Sequence, residues 1–321
     1  MHNNPPRAFH DPVLRAEVLE CLGPALAPGA LLVDCTVGGG GHAEQFLERF
    51  EQLALLGIDR DSDALKEAAR RLLRFGSRVE LARANFSELE PLLTKRGLSS
   101  VAAVFYDLGV SSFQLDTPRR GFQYRWGAPI DMRMDAESGE TAGHIVNNYS
   151  SSDLRRILSE YGEERFSDRI ANAIVKRRRE RPFEDAGDLA EVVKAAIPAA
   201  TRRTGPHPAR RSFQALRIAV NDELTSLKAS LAAAIPLLGP GGRLAAISYH
   251  SLEDRIVKSA LRQAATGCIC PRGLPVCLCG GVEQVRLLTR KPIKPDEAEI
   301  SINARARSAT LRAAEKLGGA A

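Results

Sequence analysis

A chain of 321 residues, 44% hydrophobic and 26% charged, has the make-up of an ordinary globular protein with ample material for a buried core. No apolar run approaches the roughly 20 residues needed to cross a bilayer. The opening Met1-His-Asn-Asn-Pro-Pro-Arg7 lacks the apolar core of a signal peptide, so a cytoplasmic location is expected. The net charge of +6 is concentrated: between Arg165 and Arg217 stand 13 Lys/Arg against 6 Asp/Glu, a balance of +7 that leaves −1 elsewhere. Such a region reads either as a polyanion footprint or as a solvated helical face.

Val13, Leu14, Val18, Leu19 and Leu22 have helical spacing, ended by Gly23-Pro24. Leu31–Val33 reads as a strand running into Asp34, followed by four glycines, Gly38 to Gly41, and a helix over Ala43–Phe50. A second strand, Ala54–Ile58, ends in Asp59-Arg-Asp61 and precedes a helix over 62–75. A short strand at Val79–Ala82 leads to Asn85-Phe86-Ser87, and Val101–Tyr106 is a buried strand ending at Asp107. Short apolar strands alternating with helices predict an α/β fold whose parallel sheet is covered on both faces. The rhythm breaks near 115. Residues 116–150 are rich in Gly, Pro, Asp and Asn; 152–158, 163–180 and 186–197 are helical in pattern; a basic loop spans Thr201 to Arg211. A long helix (213–235), a turn at Pro240-Gly-Gly242 and a strand (243–249) then resume the alternation. The expected organisation is a discontinuous α/β domain, 1–115 and 212–321, interrupted by a mainly helical insertion, 116–211.

Four adjacent glycines are costly in conformational entropy, which points to a tight turn that brings backbone close to a ligand at a helix N-terminus. Gly38-x-Gly40-x-x-Ala43, with Asp59 lying 21 positions after Gly38, satisfies the dinucleotide fingerprint, so a nicotinamide-dependent dehydrogenase is one reading. Asp34 at the first strand end favours another. A carboxylate there repels a pyrophosphate but holds the cationic methionine end of S-adenosylmethionine, and Asp59 suits ribose hydroxyls in either case. A helix N-cap is better filled by Asp61 or Ser62 than by Asp59. Asp107 ends the fourth strand and faces the same crevice, as a catalytic candidate or a turn cap. His250 closes the fifth strand as a base, a substrate contact or a structural histidine; Ser251-x-x-Asp254 after it resembles a capping box. Cys268-x-Cys270 and Cys277-x-Cys279 are tighter than the usual zinc knuckle, and no metal ligands are assigned. Cys21 and Cys35 look like packing residues. A non-catalytic RNA-binding module would explain the basic region but not three strand-end carboxylates.

The motifs Asp34-Cys-Thr-Val-Gly-Gly-Gly-Gly-His42, Gly57-Ile-Asp-Arg-Asp61, Asp107-Leu-Gly-Val-Ser-Ser-x-Gln-Leu-Asp116, Asp131-Met-Arg-Met-Asp135, Tyr161-Gly-Glu-Glu-Arg165, His207-Pro-Ala-Arg-Arg-x-Phe-Gln-Ala-Leu-Arg217 and Ser248-x-His-Ser-Leu-Glu-Asp-Arg255 occur in sequence. Together they resemble the bacterial 16S ribosomal RNA cytosine-N4 methyltransferase family (RsmH/MraW), from His10 to about Ala314. The resemblance implies a class I S-adenosylmethionine-dependent methyltransferase (Rossmann-like) fold with an inserted helical domain, and a cytidine of the small-subunit decoding centre as substrate. By motif position it implies cofactor contacts at Gly40, Gly41, His42, Asp59, Phe86, Asp107 and Gln114, to which the strand-end reading adds Asp34. Phe86 would lie against the adenine. Asp107 and His250 are the catalytic candidates, and Arg202, Arg203, Arg210 and Arg211 are expected to grip RNA phosphates. The expected partner is the 16S ribosomal RNA of the small subunit, with a homodimer left open. The family's Asn-Pro-Arg-x-Arg-Ser stands here as Asn303-Ala-Arg-Ala-Arg-Ser308, which touches only a local turn.

Overall fold

A computed structural model describes residues 12–202, 205–267, 270, 279 and 281–318. They fall into two compact units: one runs up to Gly109 and resumes at Leu224, and the other spans Val110–Glu223.

In the first unit, helix α1 (Arg15–Leu22) precedes strand β1 (Leu31–Asp34), α2 (Gly41–Arg49), β2 (Ala54–Asp59), α3 (Ser62–Leu72), β3 (Val79–Arg83), α4 (Leu89–Thr94) and β4 (Val101–Asp107). After the second unit, with its helices α5 to α10, the first resumes with α11 (Glu223–Leu237), β5 (Leu238–Ser248), α12 (Ser251–Thr266), β6 (Val285–Leu287), α13 (Glu297–Ile302) and β7 (Thr310–Lys316). The seven strands are ordered β3-β2-β1-β4-β5-β7-β6. The first five pair in parallel; β7 runs antiparallel to both β5 and β6. The antiparallel β7 departs from the all-parallel expectation. Its Leu311 to Ala314 are buried in a row, but three of those four positions are Arg or Ala, which carry little strand signal.

Side chains alternate across the sheet with the period of two that pleating imposes. Leu32, Leu55 and Phe105 pack toward α1, α2 and α3 on one face; Val33, Leu56, Val104 and Tyr106 pack toward α4, α11 and α12 on the other. Both faces are covered, which is why the strands read as continuous apolar runs. The expected turn at 240–242 is instead a bulge inside β5: pairing passes from Val101 opposite Leu238 to Ala103 opposite Arg243. One glycine in β2 is fixed by packing. A Cβ at Gly57 would come within 2.8 Å of Leu81 and 2.9 Å of Val37. Gly57→Ala is therefore expected to cost about 1–3 kcal/mol, read as a lower urea midpoint at constant slope.

The second unit holds α5 (Ser112–Asp116), α6 (Ala142–Asn148), α7 (Ser151–Gly162), α8 (Ser167–Arg178), α9 (Ala186–Ala196) and α10 (Arg210–Asn221) around Leu154, Ile157, Ile170, Ile174, Leu189 and Phe213. The expected insertion limits, 116 and 211, fall too far inside it. The α5 helix already belongs to this unit, and Phe213 and Leu216 of α10 enter its core. The helix expected over 213–235 is two helices, because Asp222 adopts φ 47° and ψ 42° and ends α10. Glu163, expected to open a helix, ends α7 in the same left-handed conformation.

Candidate active site

In an open α/β sheet the strand order reverses beside the first strand, and the carboxyl ends there open a crevice for ligands. Here β2 and β4 flank β1, and Asp34, Asp59 and Asp107 are the last residues of β1, β2 and β4. Asp34 is 1% exposed and accepts from the Thr36 backbone N–H at 3.1 Å. Burial pushes its pKa up to about 8, with the Asp107 and Asp59 charges adding to the rise. Asp59 is raised to about 6, chiefly by burial, against the backbone N–H donors that stabilise its charge. Those donors include Gly38 on Oδ2 and Asp61 on Oδ1, both at 2.9 Å, so Asp59 anchors the glycine turn to the end of β2. Asp61, as expected, is the N-cap of α3. Asp107 is raised to about 7, again by burial first, with Glu253 adding and the Tyr249 hydroxyl opposing. That hydroxyl donates to Asp107 Oδ1 at 2.8 Å, while the Asp107 backbone N–H donates to Thr36 Oγ1 at 2.6 Å.

The glycine turn lies over the same ends. Gly38 and Gly40 have φ of 51° and 82°, which other residues adopt only with strain, and Gly40 is the N-cap of α2. A Cβ at Gly41 would meet Arg71 and Pro12 at 3.1 Å. His42, in the first turn of α2, is 6% exposed and lies edge-on to Phe105 with ring centroids 4.8 Å apart. Burial, with Arg15 adding, lowers its pKa to about 3, so the ring is neutral. Its Nε2 stands 3.7 Å from Asp107 Oδ2, beyond hydrogen-bond reach, and neither ring nitrogen has a hydrogen-bond partner among the described residues. A buried imidazole with both nitrogens unsatisfied calls for a polar ligand. Three carboxylates that resist ionisation together call for one carrying positive charge. Both demands fit the cationic amino-acid end of S-adenosylmethionine and not a dinucleotide pyrophosphate.

Phe86 opens a single helical turn after β3, half-buried, with its ring edge-on to Tyr106 at 6.1 Å. Gln114, in the second unit, is buried and forms the capping box that opens α5: its backbone N–H donates to Ser111 Oγ at 3.2 Å and its Oε1 accepts from Ser111 N–H at 3.0 Å. His250 has a structural duty. It is the N-cap of α12, its Nδ1 accepting from Glu253 N–H at 3.4 Å and its Nε2 lying 3.1 Å from Glu253 Oε1. With both nitrogens turned to Glu253, His250 is poorly placed as a base. The capping box is His250–Glu253, one residue ahead of the expected Ser251–Asp254, because Asp254 is taken by Arg312 at 2.6 and 3.0 Å.

Arg202 and Arg211 are exposed, donating to the carbonyls of Lys194 (2.7 Å) and Glu163 (3.2 Å); Arg210 opens α10, also exposed. Arg203 lies outside the described residues, as do Cys268 and Cys277. Part of the basic count is structural. Arg178 donates to the carbonyls of Val146 and Tyr149, and Arg217 pairs through two bonds with Glu223. Cys35 is a buried thiol raised by that burial, and Cys21 is partly buried. Two contributors escape a reading of the sequence, Thr36 and Tyr249. Thr36 sits inside the Asp34 motif, but Tyr249 has no local signal because Asp107 lies 142 residues away.

No helix among the described residues is long and apolar enough to cross a membrane. Residues 7–317 match the MraW methylase family. A ribosomal RNA small subunit methyltransferase H of Symbiobacterium thermophilum is 51% identical over 312 residues, covering 97% of this chain and 98% of its own. Its counterpart in Syntrophotalea carbinolica is 52% identical over 309 residues, covering 96% and 98%. A solved rRNA methylase from Streptococcus thermophilus is similar at 12% identity with a TM-score of 0.43, covering 94% of this chain and 95% of that one. The chain belongs to the MraW methylase family and is an S-adenosylmethionine-dependent methyltransferase of class I fold.

Proposed function

We propose that this chain methylates N4 of a specific cytidine in the decoding centre of 16S ribosomal RNA. The observation that carries the reading is Asp107: a carboxylate at the end of β4, with Oδ1 held by the Tyr249 hydroxyl and Oδ2 on the side of His42. S-adenosylmethionine, when bound, supplies an electrophilic methyl group on a sulfonium. A cytosine exocyclic amine is a poor nucleophile because its lone pair is delocalised into the ring. Asp107 accepts a hydrogen bond from that amine, which draws the nitrogen toward pyramidal geometry and stabilises the positive charge that develops on it. Asp34 and the His42 ring hold the cationic amino-acid end; Asp59 faces the ribose, Phe86 the adenine, and Gln114 adds a polar contact. Gly40 and Gly41 allow close backbone approach.

The relatives' names, which specify small-subunit ribosomal RNA, support an RNA substrate. A base within structured RNA must be unstacked to reach such a crevice, at a cost of about a few kcal/mol. Arg202, Arg203, Arg210 and Arg211 offset that cost by neutralising phosphates. Replacing all four by Gln is expected to weaken RNA binding and to flatten the log-affinity against log-salt slope by about 3 to 4. A slope that does not change removes the loop from the interface. The function itself is tested by mapping methylated nucleotides in 16S ribosomal RNA from cells with and without the gene. N4-methylation lost at one decoding-centre cytidine is the expected result, and an unchanged map sinks the assignment.

A further inference from the structure

Among the described residues, the large hydrophobic side chains exposed in the second unit are both aromatic and two positions apart, Tyr124 at 39% and Trp126 at 68%. Tyr124 is accounted for by packing: it stacks on His207 with ring centroids 4.4 Å apart and meets the edge of Phe213 at 5.6 Å. Trp126 is anchored differently. A Cβ at Gly187 would come within 2.7 Å of its Cγ and Cδ2, so the indole lies directly on the backbone of the first turn of α9. The neighbouring chain is pinned to the same turn. Gly127 N–H donates to Asp185 Oδ2 at 2.5 Å, and Ala186 N–H donates to the Ala128 carbonyl at 2.9 Å. The result is a flat ring seated on glycine, with more than half of its surface in water.

A lone ring of this kind is too small for a protein interface, which needs a wider apolar patch. It matches one planar heterocycle. Exposed arginines stand beside it, among carboxylates that are partly engaged. Arg125 is exposed beside it, and Arg181 and Arg177 meet Asp188 of α9 at 3.4 and 2.6 Å, so two cations surround one carboxylate. Glu184 is exposed nearby, while Asp185 spends its oxygens capping α9 and holding Gly127. We infer that Trp126 is a stacking platform for an unpaired nucleobase of the RNA substrate, with the flanking arginines facing its phosphates. The inference rests on the RNA-substrate reading and adds a base-contacting surface to it. Base-on-aromatic stacking is tolerant of sequence, so the platform would hold a nucleotide of the substrate rather than select it.

The chain contains one tryptophan, so its intrinsic fluorescence reports position 126 alone. The full-length protein is titrated with 16S ribosomal RNA and with a short single-stranded cytidine-rich RNA, binding being followed independently by anisotropy of labelled RNA. Stacking predicts quenching of the tryptophan emission that saturates with the anisotropy. Trp126→Ala is expected to weaken single-strand binding about 5- to 100-fold, and Trp126→Phe, which keeps a ring, by less. Unchanged melting temperatures show that both variants fold. Saturated anisotropy with unaltered emission, or equal affinity of Trp126→Ala and the parent, overturns the platform and leaves the RNA reading standing. Absence of binding to either RNA overturns both.

Discussion

Asp107→Asn is expected to slow methyl transfer to 16S ribosomal RNA by about 10²- to 10⁴-fold, the range typical of a lost general-base or charge-stabilising contact. The substitution is nearly isosteric. Tyr249 can still donate to the amide oxygen as it donates to Oδ1 at 2.8 Å, so the side chain keeps its place. What changes is the other position: a carboxylate oxygen that accepts from the substrate amine becomes an NH₂ group that opposes it. Cofactor affinity, measured by calorimetry without RNA, should fall far less than turnover. The acid limb of kcat/KM reports the same group. Burial raises Asp107 to about 7, so it adds to the climb of the parent's activity through neutral pH, and the variant should show a shallower limb, left to Asp34 and Asp59. Turnover equal to that of the parent would remove Asp107 from the mechanism.

The half of the site built on strand ends is legible in the sequence, because an apolar run that stops at an aspartate is a local pattern. Asp34, Asp59 and Asp107 each close such a run, and Asp61 announces itself as a cap by its place before the α3 sequence. What is not legible depends on contacts between distant residues or on a single backbone angle. Nothing in residues 213–235 marks Asp222 as the break between α10 and α11, since an aspartate is tolerated inside a helix and only its left-handed φ ends one. The capping box moves from Ser251 to His250 because Arg312, 58 positions away, claims Asp254. The basic run at 176–179 looks like a phosphate grip until Arg178 is seen bonding the carbonyls at the end of α6. Each of these is tertiary context overriding a sound local rule.

The crowding of Asp34, Asp59 and Asp107 makes the ligand-free protein less stable as the pH rises. Their folded pKa values of about 8, 6 and 7 all lie above the unfolded value of 3.8. Between the unfolded and the folded pKa the native state keeps a proton that the unfolded chain has lost. Stability therefore falls with rising pH, most steeply from about pH 4 to 6, where all three hold their protons, and levels off above about 8. Asp34 alone contributes at most about 6 kcal/mol to that loss, and the other two add to it. A cationic ligand reverses the balance. By favouring the carboxylates it releases protons on binding, so S-adenosylmethionine affinity should increase between pH 6 and 8 by up to about tenfold per unit for each proton released. Calorimetry in buffers of different ionisation enthalpy counts those protons directly. Asp34→Asn takes away the largest titrating contributor. In that variant the ligand-free melting temperature should be higher than the parent's at pH 8 and less dependent on pH, while stabilisation by S-adenosylmethionine is largely lost. If the parent's ligand-free melting temperature is no more pH-dependent than the variant's, and binding releases no proton, the strand-end carboxylates do not form the cationic-ligand site. That outcome would also take away the physical reason for preferring S-adenosylmethionine over a pyrophosphate at this glycine turn.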